Sequence, residues 1–318
     1  MAPGGPARRG PVLFEMLTFI QQFLNGLTIG SFYAFIALGY SLVYAIMKLI
    51  NFAHGDLFAL GSYVAYSFLV ATSATLTSVL GLWGALAAAI LVAGLSVAAA
   101  GVLMERVAYR PIYPAGRLPA VVSALGVSIF LENFIMLVWG PRYLAYSSSF
   151  IPVGHFQLGE LRISVLQVVI LLCAVVLLGF LYWLIERTTF GAAVRATAQD
   201  RDTAALMGID FRKVIRFVFT VGPALGAVAG VMVGLYYRQI SFTMGWGYGL
   251  KAFVATILGG IGNIPGAMVG GILLGLLEAL FAGYVSAAWK DVIVFAVLML
   301  ILIFRPTGLL GEKVAEKV

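Results

Sequence analysis

Nine apolar runs constrain this chain more than any other feature. They fall at residues 18–47, 52–72, 82–104, 119–139, 165–185, 214–236, 248–262, 266–284 and 289–304. A helix needs about 20 residues to cross a bilayer. In lipid the backbone must satisfy its own hydrogen bonds, so such runs form helices packed on one another. The runs at 248–262 and 289–304 are short, which leaves eight or nine spans. The expected fold is therefore all-α, a polytopic integral membrane helix bundle, with one transmembrane domain over residues 16–318. Only 10% of the residues are charged, against roughly 25% in a soluble domain.

Residues 1–15 are rich in Pro, Gly and Ala and predict no packed element. Arg8 and Arg9 precede an apolar run too long for a signal peptide. Met16 opens the membrane-like sequence, so residues 1–15 read as a disordered tail or as an extension ahead of the true start. The single cysteine, Cys173, lies inside an apolar run, which rules out a disulfide within the chain.

Lys and Arg set the orientation, because cytoplasmic loops carry them in excess. With nine spans and an outside N-terminus, thirteen fall on one side: Lys48, Arg106, Arg110, Arg117, six between Arg187 and Arg216, Arg305, Lys313 and Lys317. The other side has seven: Arg8, Arg9, Arg142, Arg162, Arg238, Lys251 and Lys290. The first side is then cytoplasmic; an eight-span count would flip one end. The net charge of +7 is scattered and forms no nucleic-acid face.

The stretch from Glu186 to Arg216 holds ten of the thirty-three charged residues and is the one long polar connection. Thr188 or Thr189 can cap a first short helix through Ala192 and Arg195, and Asp200 or Asp202 a second through Ala204 and Ala205. Gly208 suits the left-handed residue after a helix end, and Asp210 can cap the next span. The central alanines make a low surface where another protein can approach. The alternative is a solvated loop that only obeys the charge bias.

Three features lie within the membrane. Gly222, Gly226, Gly230 and Gly234 recur every four residues, a spacing that lets helix backbones approach closely. Packing within the chain accounts for most such glycines; a face toward a second subunit is the alternative. Two runs are interrupted, at 51–56 (Asn51, His54, Asp56) and at 259–266 (Gly260, Asn263). Paired interruptions point to a translocation path, since irregular backbone at membrane depth lines a cavity or is buried in protein. Ordinary turns, with Asn51 or Asp56 as a cap and His54 structural, are the alternative. Glu132 and Glu278 stand inside apolar runs and are candidates for function by default, or else for bonding between helices.

The chain has no G-x-x-x-x-G-K-[ST] phosphate loop, no metal-ligand spacing and no nucleophile elbow. No catalytic role, cofactor or metal is expected. A proton-coupled secondary transporter using Glu132 or Glu278 would explain the broken helices, though not the long Ala-centred loop.

Three stretches resemble one family. N-F-A-H-G-D-L-F-A-L-G-S-Y at 51–63 looks like the signature of the H-type permease subunit of branched-chain amino acid ABC importers. F-G-A-A-V-R-A-T-A-Q-D-R-D-T-A-A-L-M-G-I-D at 190–210 is similar to that family's ATPase-coupling loop, and A-T-I-L-G-G-I-G-N-I-P-G-A-M-V-G-G at 255–271 to a third landmark. The resemblance runs from about Met16 to the C-terminus. It implies a heterodimer with an M-type permease, two cytoplasmic ABC ATPase subunits, a periplasmic binding protein and a place in the bacterial inner membrane, in contact with its lipid. It assigns ATPase coupling to Gly191, Ala192, Arg195, Ala204, Ala205 and Gly208. It implies import by ATP-driven alternating access, with urea or short amides as cargo of relatives.

Overall fold

The computed structural model describes residues 11–158 and 161–311. These contain α1 (Pro11–Met47), α2 (His54–Met104), α3 (Arg117–Trp139), α4 (Val165–Arg187), α5 (Thr189–Gln199), α6 (Arg201–Leu206), α7 (Phe211–Tyr237), α8 (Met244–Gly259), α9 (Ile264–Tyr284) and α10 (Lys290–Phe304). Gly81, at φ 67° and ψ 175°, bends α2 into two arms. The second arm runs on through a π-turn, Glu105–Tyr109, and a 3-10 turn, Arg110–Ala115.

Among the described residues, seven helical stretches are long and apolar enough to cross a membrane. The two short runs of the sequence are α8 and α10, with 16 and 15 residues. The tail expectation falls partly outside the described residues, at 1–10, as do Lys313 and Lys317. Where it can be compared it is corrected: α1 already starts at Pro11. A proline in the first helical turn loses no hydrogen bond, and its fixed φ suits a helix start.

The helices sort into centre and rim. In α1 and α7 the most apolar windows are 89% and 83% buried, whereas in α3 and α4 the shares are 22% and 28%. The first arm of α2, with α8 and α9, closes around the central pair, and small residues allow it. Gly26 and Gly30 on α1 meet Leu276 and Ile272 of α9, and Gly271 meets Ala34. Gly101 on the second arm of α2 faces the ring of Pro223 on α7.

Two small ribbons tie the ends. β1 (Leu144–Ala145) pairs antiparallel with β4 (Gln239–Ile240), which puts the exits of α3 and α7 on one side. β2 (His155–Leu158) and β3 (Leu161–Ser164) form a hairpin ahead of α4. At the other end of the bundle, the N–H groups of Leu309 and Leu310 donate to the carbonyls of Leu258 and Gly259, at 2.8 and 3.0 Å. The chain after α10 is thereby pinned to the turn between α8 and α9.

Candidate functional site

The first interruption is wholly buried. Asn51, His54 and Asp56 are each 1% exposed or less. None of them caps α2, whose first turn has no side-chain cap, so the capping alternative does not hold. Instead they reach other helices. Asn51 Oδ1 accepts from Tyr109 Oη at 2.8 Å. Asp56 Oδ2 accepts from Ser128 Oγ on α3, and Glu132, one turn further along α3, repels its charge. The other Asp56 oxygen has no partner and points at Gly245 in the first turn of α8.

His54 sits in a cradle of glycines. Its imidazole packs edge-on against Tyr40, with ring centroids 5.0 Å apart. Gly39 of α1 lies so close to the ring that a methyl there would overlap it. Gly226 of α7 flanks the other side, and Gly222 meets Gly39 across the helix pair. The Ile36 carbonyl lies beside the ring, but neither nitrogen makes a well-aligned hydrogen bond. Continuing along α7, Gly230 abuts the Phe58 carbonyl and Gly234 the ring of Tyr146. All four glycines of the repeat thus face this chain's own segments.

Buried polar atoms without partners are rare, since each costs desolvation. Here Asn51 Nδ2, both His54 nitrogens and Asp56 Oδ1 are left open within one interruption, and Ser41 on α1 and the Tyr63 hydroxyl on α2 are open as well. These open groups lie among α1, α2, α3 and α8. Asp56→Asn keeps an oxygen for Ser128 but removes the charge. The expected outcome is normal membrane insertion with import slowed by about tenfold or more, since a hydrogen bond to a charged group is worth about 1.5–3 kcal/mol. Asn51→Leu should act likewise. Uptake at the parent's rate in both variants would remove these residues from the path.

The second interruption is separate from the first. Gly260 and Gly262 take positive φ, 113° and 86°. Asn263 accepts from the Gly266 N–H at 2.8 Å and donates to the Leu310 carbonyl at 2.8 Å. It therefore caps α9 and anchors the segment after α10. The two interruptions lie at opposite ends of α8, whose residues 245 to 259 rise about 21 Å. Both flank α1, His54 beside Gly39 and Gly262 beside Tyr44 and Ala45.

Glu278 is not solitary, as the sequence suggests. It accepts from Tyr33 Oη at 2.6 Å and from Lys251 Nζ at 2.8 Å. Lys251 also pairs with Asp291 at 2.6 Å, and Lys290 lies 3.8 Å from Glu278. This corrects the placing of Lys251 in an external connection. It is a residue of α8, and its cluster joins α1, α8, α9 and the start of α10. Ser128, Tyr109, Tyr33 and Asp291 gave no sign in the sequence. Lys251 did, as a cation inside an apolar run.

The polar connection folds as its local signals predict. Thr188 accepts from the Gly191 N–H at 3.2 Å, Asp200 from Asp202 and Thr203, and Asp210 from Arg212. Gly208 has φ 84°. Its surface differs from the expectation. Gly191 is buried against the Ile185 carbonyl, and Arg195 bonds that same carbonyl and pairs with Glu186 at 3.5 Å. Ala204 is 5% exposed and belongs to the interior. Ala192, Ala205 and Gly208 face outward. Beside them stand Leu206 and Met207, 89% and 80% exposed, which alanine-centred reasoning passed over.

Comparison with known proteins adds to this geometry. The family described as branched-chain amino acid transport system / permease component matches residues 22–302. The chain is 43% identical over 307 residues to the high-affinity branched-chain amino acid transport system permease protein LivH of Escherichia coli strain K12, covering 96% of this chain and 99% of that protein. It is 42% identical over 316 residues to BraD of Pseudomonas aeruginosa, with the same coverage. It is 28% identical over 203 residues to the autoinducer 2 import system permease protein LsrC of Escherichia coli strain K12 / DH10B, covering 59% of this chain and 56% of that protein. No solved structure matches the chain.

Proposed function

Because the chain belongs to the family of branched-chain amino acid transport system permease components, we propose that it is the H-type permease of an ABC importer. It is a multi-pass inner-membrane protein that passes branched-chain amino acids inward while partner subunits hydrolyse ATP. The likeness to LivH across nearly the whole of both chains carries this reading. An M-type permease completes the pathway, two cytoplasmic ATPases drive it, and a periplasmic binding protein delivers the cargo.

The chemistry supports it. A branched-chain amino acid is a zwitterion with an apolar side chain. Unpaired charge at membrane depth is expensive, and the buried Glu278 is neutralised by Lys251. The remaining open groups at Asn51, His54 and Asp56 offer a polar seam beside the aromatic rings of Tyr40 and Phe58. ATP binding closes the ATPase pair, which pushes on α5 and α6 and shifts the bundle between outward and inward arrangements. The Thr188 cap and the Arg195 contacts to Ile185 and Glu186 join α5 rigidly to the end of α4, so a push on the loop moves a span.

The outward-facing set of Ala192, Ala205, Gly208, Leu206 and Met207 is the proposed docking surface, with Gly191, Arg195 and Ala204 holding its shape. Ala205→Trp or Leu206→Asp should leave the permease inserted yet reduce ATPase capture about tenfold, as interface anchors do. Both should abolish ATP-driven leucine uptake in reconstituted vesicles carrying the parent's binding protein. Parent-like capture and uptake in both variants would move the coupling element elsewhere. Uptake that follows a proton gradient without ATP would overturn the importer reading itself.

A further inference from the structure

A cavity of about 270 Å³ opens where the second arm of α2 meets the start of α7, lined by Val102, Arg106, Arg110 and Arg216. Three of its four walls are arginines. Buried Glu105 engages only one of them, bonding Arg110 at 2.7 Å. Arg106 and Arg216 have no carboxylate within reach among the described residues and are exposed. Three guanidinium groups converging on one space leave uncompensated positive charge, and a guanidinium fork suits phosphate oxygens.

The neighbouring surface says what carries that phosphate. Leu91, Leu95, Leu103 and Val107 stand exposed along the second arm of α2, the last two 61% and 64%. This apolar face runs down the helix and ends at Arg106 and Arg110. A molecule that fits both parts has hydrocarbon chains for the leucines and a phosphate for the arginines. The cavity also lies on the side richest in Lys and Arg, where anionic headgroups of the cytoplasmic leaflet are attracted to basic residues.

We propose that Arg106, Arg110 and Arg216 form a binding site for the headgroup of an anionic phospholipid, whose acyl chains cover Leu91, Leu95, Leu103 and Val107. The site is distinct from the buried seam at Asn51–Asp56 and does not depend on which cargo the permease carries. It holds the start of α7, which follows the polar connection directly, to the end of α2.

The test is to purify the full chain, with the subunits that accompany it, in mild detergent and to measure retained lipid by mass spectrometry. Phosphatidylglycerol and cardiolipin should be enriched over phosphatidylethanolamine relative to the source membrane. R106Q/R216Q, which leaves the Glu105–Arg110 pair intact, should lower that enrichment roughly thirtyfold. Should this variant fail to insert, R216Q alone is measured, with roughly a fivefold loss expected. The control R142Q/R238Q, at the opposite end of the bundle, should retain lipid like the parent. Equal retention by the parent and the arginine variants would overturn the proposal. So would displacement of the lipid by inorganic phosphate, which indicates a free-anion site. Lost ATPase capture with lipid retention unchanged would overturn it in favour of a protein contact.

Discussion

Gly230→Ala should destabilise this permease by about 3 kcal/mol, whereas Gly226→Ala, one turn earlier on α7, should be as stable as the parent. Both glycines belong to the same four-residue repeat, and both substitutions add one methyl. The difference lies in what the methyl meets. At Gly226 its nearest neighbour would be the His54 ring at 3.5 Å, an ordinary contact. At Gly230 it would overlap the Phe58 carbonyl oxygen, a backbone atom of a fully buried residue. A side chain can turn away, but a carbonyl inside α2 cannot move without shifting the helix. Overpacking typically costs about 1–3 kcal/mol and occasionally more; a clash with helix backbone belongs at the upper end. Alanine also favours helix over glycine by about 1 kcal/mol, so Gly226→Ala has an offsetting gain.

The measurement is the melting temperature and the monodisperse fraction of the solubilised complex. If both variants assemble alike, α2 and α7 are not as close as described. If both leave the subunit intact but break its pairing with another permease, the repeat faces a partner.

Lys251→Met should be the most damaging single change outside the glycines. Lys251 is the cation between Glu278 and Asp291, and its side chain is 14% exposed. Asp291 can turn to solvent, being 59% exposed, but Glu278 at 5% cannot. Removing one partner of a buried pair costs about 3–5 kcal/mol; Lys290, 3.8 Å from Glu278, offsets part of the lost charge, so the loss belongs at the lower end. Glu278→Gln should cost less, because the amide can still receive the Tyr33 hydroxyl and Lys251 keeps Asp291. The double variant Lys251→Met/Glu278→Leu should recover most of the loss, since apolar replacement of a buried pair is often neutral or stabilising. A thermal-stability series with ATP-driven uptake separates the possibilities. Full stability in Lys251→Met would show that the pair does not hold the helices together. A stable double variant that no longer transports would show that the charges serve the pathway as well as the fold.

The polar connection was legible because its signals are local. A cap acts on an N–H two or three residues ahead, as Thr188, Asp200 and Asp210 do, and a left-handed residue such as Gly208 needs no distant partner. The surface of that connection was not legible. Ala204 and Ala205 are neighbours of the same type, yet one is buried and the other faces out, and only the packing of α6 on the rest of the chain separates them. The same limit hid Leu206 and Met207, which in sequence read as ordinary apolar residues.

The sequence by itself determined that the backbone must form membrane helices. It determined where the long polar connection falls and that two runs are broken. These follow from run length, charge sparsity and local capping, which are properties of consecutive residues. Tertiary structure decided what the interior polar groups do. Asp56 meets Ser128 from 72 residues away, Asn51 meets Tyr109 from 58, and Glu278 meets Tyr33 from 245. Such pairings depend on which helices become neighbours. In lipid that choice rests on close van der Waals fit between small residues, a property of two surfaces together and of neither stretch alone.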